Sequence, residues 1–224
     1  MEPSTRIIEL YGLPGCGKST LCSSFKELMP VGCVADINDM FREARKLSFW
    51  RKLGLFPGKL VYPLISLWLT CPIHRWGIYR AFLKRISIIY YINKYSNKSN
   101  RYVILDHGIV QCVHSLYLGI ENRFTPKAKR RFLRLLNSLP PIIYVFCDIP
   151  ARHAFERMRS RNTLNHGRLD CITDERVLME VFRRQEIFFA DIYNSITSEK
   201  ESCSKKLDVT VTPEMLAKSL AIIC

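Results

Sequence analysis

The sequence predicts an α/β fold, a parallel sheet covered by helices on both faces. Three observations lead there. Five short runs are almost wholly apolar and rich in β-branched residues, as strands buried on both faces are. Helical patterns of apolar residues fall between them, so strand and helix alternate along the chain. A glycine-rich break stands where the first strand hands over to the first helix.

Residues 6–11 read as a central strand, broken by the glycines of 12–17. Residues 18–28 then set Leu21, Phe25 and Leu28 on one helical face. A short second strand, 31–35, closes at Asp36, and a helix is expected from Met40 with Asp39 as its N-cap. The stretch 42–100 interrupts the rhythm. It is long, aromatic and basic, and reads as several helices. Residues 101–106 form a third strand ending in Asp106. Residues 128–136 place Phe132, Leu135 and Leu136 on one side of a helix. Residues 141–148 are the fourth strand, followed by a helix over 151–161 that Pro150 introduces. A long amphipathic helix covers 174–193, with Val177, Val181, Phe188 and Ile192 at helical spacing. Thr173 is its expected N-cap, with Asp174 and Glu175 in the first turn. A fifth strand over 206–211 and a helix over 213–223 close the chain. No linker marks a second domain, so residues 1–224 read as one.

Composition narrows the class. Hydrophobic residues make up 48% and charged residues 24%, which suits a packed core and excludes a disordered chain. The net charge of +14 favours anionic partners: nucleotides, nucleic acid or an acidic membrane surface. The nine cysteines are odd in number and scattered, without CxxC or Cys/His spacing, so free thiols in a reducing compartment are expected. No signal peptide is visible at the first residues. The longest apolar stretch, 60–73, is about fourteen residues against the roughly twenty that span a bilayer, and it holds Pro63 and Pro72. It reads as a buried or interfacial segment, and the protein as cytoplasmic.

The chemistry concentrates in Gly12, Leu13, Pro14, Gly15, Cys16, Gly17, Lys18, Ser19 and Thr20, which fit G-x-x-x-x-G-K-[ST] without deviation. A polyphosphate must be approached closely, and glycines leave no side chain in the way. Successive N–H groups then face one concavity, and the following helix adds its positive end. Lys18 can reach the β- and γ-phosphates of ATP, and Ser19 can ligate the Mg²⁺ between them. A strand before and a helix after are the context this motif needs.

On these residues the chain resembles P-loop kinases of the nucleoside monophosphate kinase type. In layout it is most similar to thymidylate kinases and deoxynucleoside kinases. The resemblance covers nearly the whole chain and is weakest over 42–100. It implies a three-layer α/β/α fold with a five-stranded parallel sheet in the order 2-3-1-4-5. It also implies ATP and Mg²⁺, and a small acceptor such as a nucleoside or nucleotide. The strand ending in Asp106 supplies the residue that holds Mg²⁺ directly or through water, or else only a strand-terminating turn. Thymidylate kinases carry Asp-Arg at this point, whereas this chain has Asp106 and His107. The segment 152–170 looks like the family's lid, in which an Arg-x-x-x-Arg pair closes over ATP. Here that pair is Arg157 and Arg161, four residues apart on one helix face, with Arg159 pointing elsewhere. A solvated basic helix is the alternative. Arg168 follows as a further candidate. Asp36 stands where an acidic residue orients or deprotonates the acceptor hydroxyl.

The aromatic and basic stretch 42–100 is the resembled kinases' acceptor pocket. It also fits a core beneath a basic face, or a membrane-surface contact. The runner-up functions are a kinase of a small hydroxylated metabolite, of the shikimate or gluconate type, and a slowly hydrolysing NTP-binding switch. A nucleic-acid end kinase is a third, without a recognition motif to support it. Self-association as a homodimer stays open. A GTPase is excluded, because Asn93, Lys94, Tyr95 and Ser96 lack the guanine-reading Asp.

Overall fold

Five strands form one parallel sheet in the order β2-β3-β1-β4-β5, the order that the resemblance implies. They are β1 (Arg6–Gly12), β2 (Val34–Ala35), β3 (Tyr102–Leu105), β4 (Ile142–Asp148) and β5 (Ser204–Asp208). Register is fixed by pairs such as Ile7 with Val103, Glu9 with Leu105, and Val34 with Tyr102. The eight helices described are α1 (Lys18–Leu28), α2 (Ile37–Lys46), α3 (Gly58–Trp68), α4 (Trp76–Tyr95), α5 (Ile109–Tyr117), α6 (Pro126–Ser138), α7 (Ala151–Arg159) and α8 (Glu175–Glu199). The structure is a computed structural model that describes residues 5–30, 32–35, 37–46, 57–69, 76–95, 102–117, 124–160, 172, 174–199, 203–209, 215 and 218–219.

Contacts divide the chain into two units, Met1–Glu9 with Met29–Tyr144 and Leu10–Leu28 with Val145–Cys224. In the first, α3 packs on α6 and α4 on α5. Thr125 starts α6 by accepting the Ala128 N–H at 3.2 Å, and Pro126 follows at a position where its missing N–H costs nothing. The residues expected on the inner side of this helix, Phe132, Leu135 and Leu136, are buried. Arg131 of α6 donates to the Ser66 carbonyl of α3 at 3.0 Å. Within α3 the proline at 63 is tolerated. Leu60 is buried there, while Val61, Tyr62 and Ile65 stand exposed. No helix among the described residues is long and apolar enough to cross a membrane.

The second unit is held by aromatics. Phe146 of β4 stacks on Tyr11 at 5.5 Å and meets Tyr193 of α8 at 5.6 Å. Helix α8 buries Leu178, Phe182, Gln185, Phe188, Phe189, Ile192 and Ile196, a stripe at spacings of three and four with Phe188 beside it, and Phe188 and Ile192 are buried as expected. The expected face was set one residue early at its start, since Val177 is 51% exposed. The cap also differs: Asp174 Oδ1 accepts from Arg176 N at 2.8 Å and Val177 N at 3.3 Å, and Thr173 lies outside the described residues. In α1, Leu21 and Phe25 are buried as expected but Leu28, at the frayed end, is exposed. Helix α2 begins at Ile37 rather than Met40, which puts Asp39 inside its first turn instead of at the cap. Strand β5 begins at Ser204, two residues before the expected start, and 210–214 lie outside the described residues.

Candidate functional site

The glycine loop runs from the end of β1 into α1, all within the second unit. Cys16 N donates to Leu13 O at 3.2 Å, which closes the turn, and Leu21 N to Gly17 O at 2.9 Å, which starts the helix. Gly15 has φ +82°, and a Cβ there would lie 2.4 Å from the Ala154 carbonyl oxygen of α7. Only glycine lets the loop turn there and α7 come so close. Gly17 also has positive φ (+92°), and among the described residues a Cβ there would meet nothing within 4 Å. Ser19 and Thr20, on the first turn of α1, are exposed.

Lys18 opens α1, and no acidic residue stands in the first turn. A cation at the positive end of a helix is unfavourable by itself. Its ammonium is instead drawn back across the loop, donating to Gly12 O at 3.0 Å, Leu13 O at 2.9 Å and Cys16 Sγ at 3.3 Å. All three N–H donors are thus used, and the residue is 8% exposed. A positive helix end, a buried ammonium and a glycine loop together fit a polyphosphate.

Cys16 has a second partner that the sequence did not announce. Its thiol and that of Cys147, near the end of β4, hydrogen-bond to each other. The hydrogen bond from Cys147 draws the Cys16 thiol down to about 6, with the Lys18 ammonium adding to it against burial. Cys147, which keeps the proton and is buried, is pushed well up. Among the described residues Cys16, Cys33, Cys112 and Cys147 take part in no disulfide.

Helix α7 carries the lid candidates. Arg157 Nη1 donates to the Val209 carbonyl at 3.1 Å, just beyond β5. Arg159 turns to Glu175 of α8, at 2.7 Å, and lies 5.7 Å over the Phe155 ring. Arg161 and Arg168 lie outside the described residues, so only Arg157 of the expected pair is placed. Asp148, at the end of β4, pairs with Lys206 at 2.8 Å.

In the first unit, half-buried Asp106 follows β3 directly. Its turn is pinned from two sides. Arg85 of α4 donates through Nε to the His107 carbonyl. Glu9, wholly buried in β1, accepts from Val110 N at 2.6 Å, at the head of α5. A Cβ on Gly108 would fall 2.2 Å from the Glu9 Cδ, so glycine is required for the carboxyl to seat there. Burial lifts the Glu9 carboxyl to about 7, against the pull of the N–H groups of Ile109, Val110 and Gln111 and of Arg85. Among the described residues its Oε2 has no hydrogen-bond partner. Glu9 and Arg85 were missed from sequence. The signal for Glu9 was a lone charge in an apolar strand, flanked by Ile8 and Leu10. Asp36 lies outside the described residues. No cluster of three or more His, Cys, Asp or Glu side chains fit to hold a metal occurs among the described residues.

No protein-family model matches the chain, and no curated protein matches it.

Proposed function

We propose that this chain is an ATP-dependent phosphotransferase acting on a small acceptor, with a nucleoside or nucleotide as the leading class. One observation carries the reading: the Lys18 ammonium, buried at the positive end of α1 and held across the glycine loop by the carbonyls of Gly12 and Leu13. Such an arrangement is unfavourable for an isolated helix and favourable for an anion with several charges.

In this reading the remaining loop N–H groups, those of Gly15 and Gly17 among them, would hold the β- and γ-phosphates. Lys18 exchanges its carbonyl partners for phosphate oxygens. Ser19 would hold Mg²⁺, which would supply charge neutralisation on those oxygens, and Asp106 is the expected carboxylate for it, directly or through water. Arg157 leaves the Val209 carbonyl to stabilise charge on the moving phosphoryl group, together with Arg161. Asp36 orients the acceptor hydroxyl or takes its proton. The aromatic and basic stretch 42–100 supplies the acceptor pocket.

The test is ADP release from ATP and Mg²⁺ across pools of nucleosides, nucleoside monophosphates and hydroxylated metabolites. Release that depends on a pool and vanishes in Lys18→Ala supports the kinase and names the acceptor class. Tight ATP binding with no stimulation by any pool overturns a small-acceptor kinase in favour of a switch or a macromolecular acceptor.

A further inference from the structure

Cys16 and Cys147 come from different elements, the glycine loop and β4, yet their side chains flank one point, the place that a Gly12 Cβ would take. The missing side chain of Gly12 makes the room. A Cβ there would sit 3.3 Å from Cys16 Sγ, 3.4 Å from Cys147 Cβ and 2.6 Å from the Cys147 carbonyl oxygen. The Lys18 ammonium lies 3.3 Å from Cys16 Sγ on another side. We propose that Cys16 and Cys147 form a peroxide-oxidised thiol pair, whose reversible disulfide ties the phosphate loop to β4.

The two thiols differ in the way such a pair requires. Cys16 is held toward the thiolate by a donated hydrogen bond and a neighbouring cation, and a thiolate is the nucleophile. Cys147 keeps its proton and waits in contact as the resolving thiol. Cys112 is the contrast within the same chain. It is equally a core cysteine, but burial pushes its thiol up to about 12, the mark of an inert position. Cys16 is 0% exposed and Cys147 1%, while Gly15 and Gly17 on either side of Cys16 are half-exposed. Burial of both thiols suits a small oxidant, hydrogen peroxide, better than a bulky disulfide.

The chemistry balances in two steps. The Cys16 thiolate attacks one peroxide oxygen, the O–O bond breaks, and the departing hydroxide takes a proton to become water. Cys16 is left as a sulfenic acid. The Cys147 sulfur then attacks the Cys16 sulfur, the S–O bond breaks, and the hydroxyl leaves with the Cys147 proton as a second water. Two electrons pass from the thiols to the peroxide. The disulfide removes the sulfur that accepts from Lys18 and fixes position 16 of the loop. Its effect on nucleotide binding rests on the function proposed above, whereas the disulfide itself does not.

The experiment treats the full chain with hydrogen peroxide, blocks remaining thiols with N-ethylmaleimide, digests without reduction and maps linked peptides by mass spectrometry. The expected result is a Cys16–Cys147 link, lighter by two hydrogens, formed ahead of any other pair and reversed by dithiothreitol. In Cys147→Ser the oxidised Cys16 should be trapped by dimedone, and in Cys16→Ser position 147 should stay unlabelled. Oxidation of other cysteines without this link overturns the proposal, as does equal oxidation of Cys147 in Cys16→Ser. The wild-type map needs no variant, so a misfolded variant does not shield the proposal. Fluorescent ATP analogue binding is read on the same samples. A fall of about ten-fold on oxidation, restored by dithiothreitol, supports the loop-locking role. A link without any change in affinity overturns that role. A reduced protein that binds no nucleotide overturns the kinase reading, and the peptide map still decides the thiol pair.

Discussion

Replacing Glu9 by Gln should reshape the pH dependence of stability. In the folded chain burial lifts the Glu9 carboxyl from the ordinary 4.5 to about 7. Between those values the folded protein keeps a proton that the unfolded chain has lost. Stability therefore falls as pH rises from 4.5 to 7 and is flat beyond, the reverse of a salt-bridged carboxylate. Each pH unit of that interval weighs about 1.4 kcal/mol, so ionising Glu9 costs the fold about 3 kcal/mol. The groups that face the carboxyl are the Arg85 guanidinium from α4, the Cys112 thiol and the first N–H groups of α5. Gln keeps an acceptor for Val110 N and removes the charge. Urea midpoints for both proteins at pH 5 and pH 8, with m held in common, give a double difference in which every other titrating group cancels. Glu9→Gln should match the wild type at pH 5 to within about 1 kcal/mol and exceed it by about 2–4 kcal/mol at pH 8. Parallel pH profiles for the two proteins would refute the reasoning.

Further changes test the loop and its supports. Gly15→Ala forces a side chain onto the Ala154 carbonyl at positive φ. It should cost more than about 1 kcal/mol in denaturant melts and weaken ATP binding together with stability. Thr125→Ala deletes the cap on Ala128 N and should cost about 1 kcal/mol, with nucleotide affinity unchanged by isothermal titration. Arg157→Ala removes a bond to a neutral carbonyl, so its stability cost should stay near 1 kcal/mol. If Arg157 serves the moving phosphoryl group, kcat should fall by about ten-fold or more with little change in ATP affinity. Equal losses in affinity and kcat would point to a merely structural arginine.

Local geometry was legible in the sequence, and contacts between distant residues were not. The loop and α1 could be read because turn, helix start and ammonium all lie within nine consecutive residues. The sheet order followed from the resemblance those residues carry. Glu9 escaped because the N–H groups that receive it lie about a hundred residues away at the head of α5. Cys147 escaped for the same reason, since only folding brings β4 beside the loop. The inner face of α8 was right at Phe188 and Ile192 but was read one residue early at its start, because Val177 and Leu178 are equally apolar and only packing selects Leu178. The start of α2 was misplaced because Asp39 looks like a cap, while the helix already runs from Ile37.

The most direct test follows the label of γ-phosphate-labelled ATP with Mg²⁺ in the presence of the nucleoside, nucleotide and metabolite pools. The account predicts label on an organic acceptor, lost in Lys18→Ala. Label released only as inorganic phosphate, whatever the pool, would contradict it.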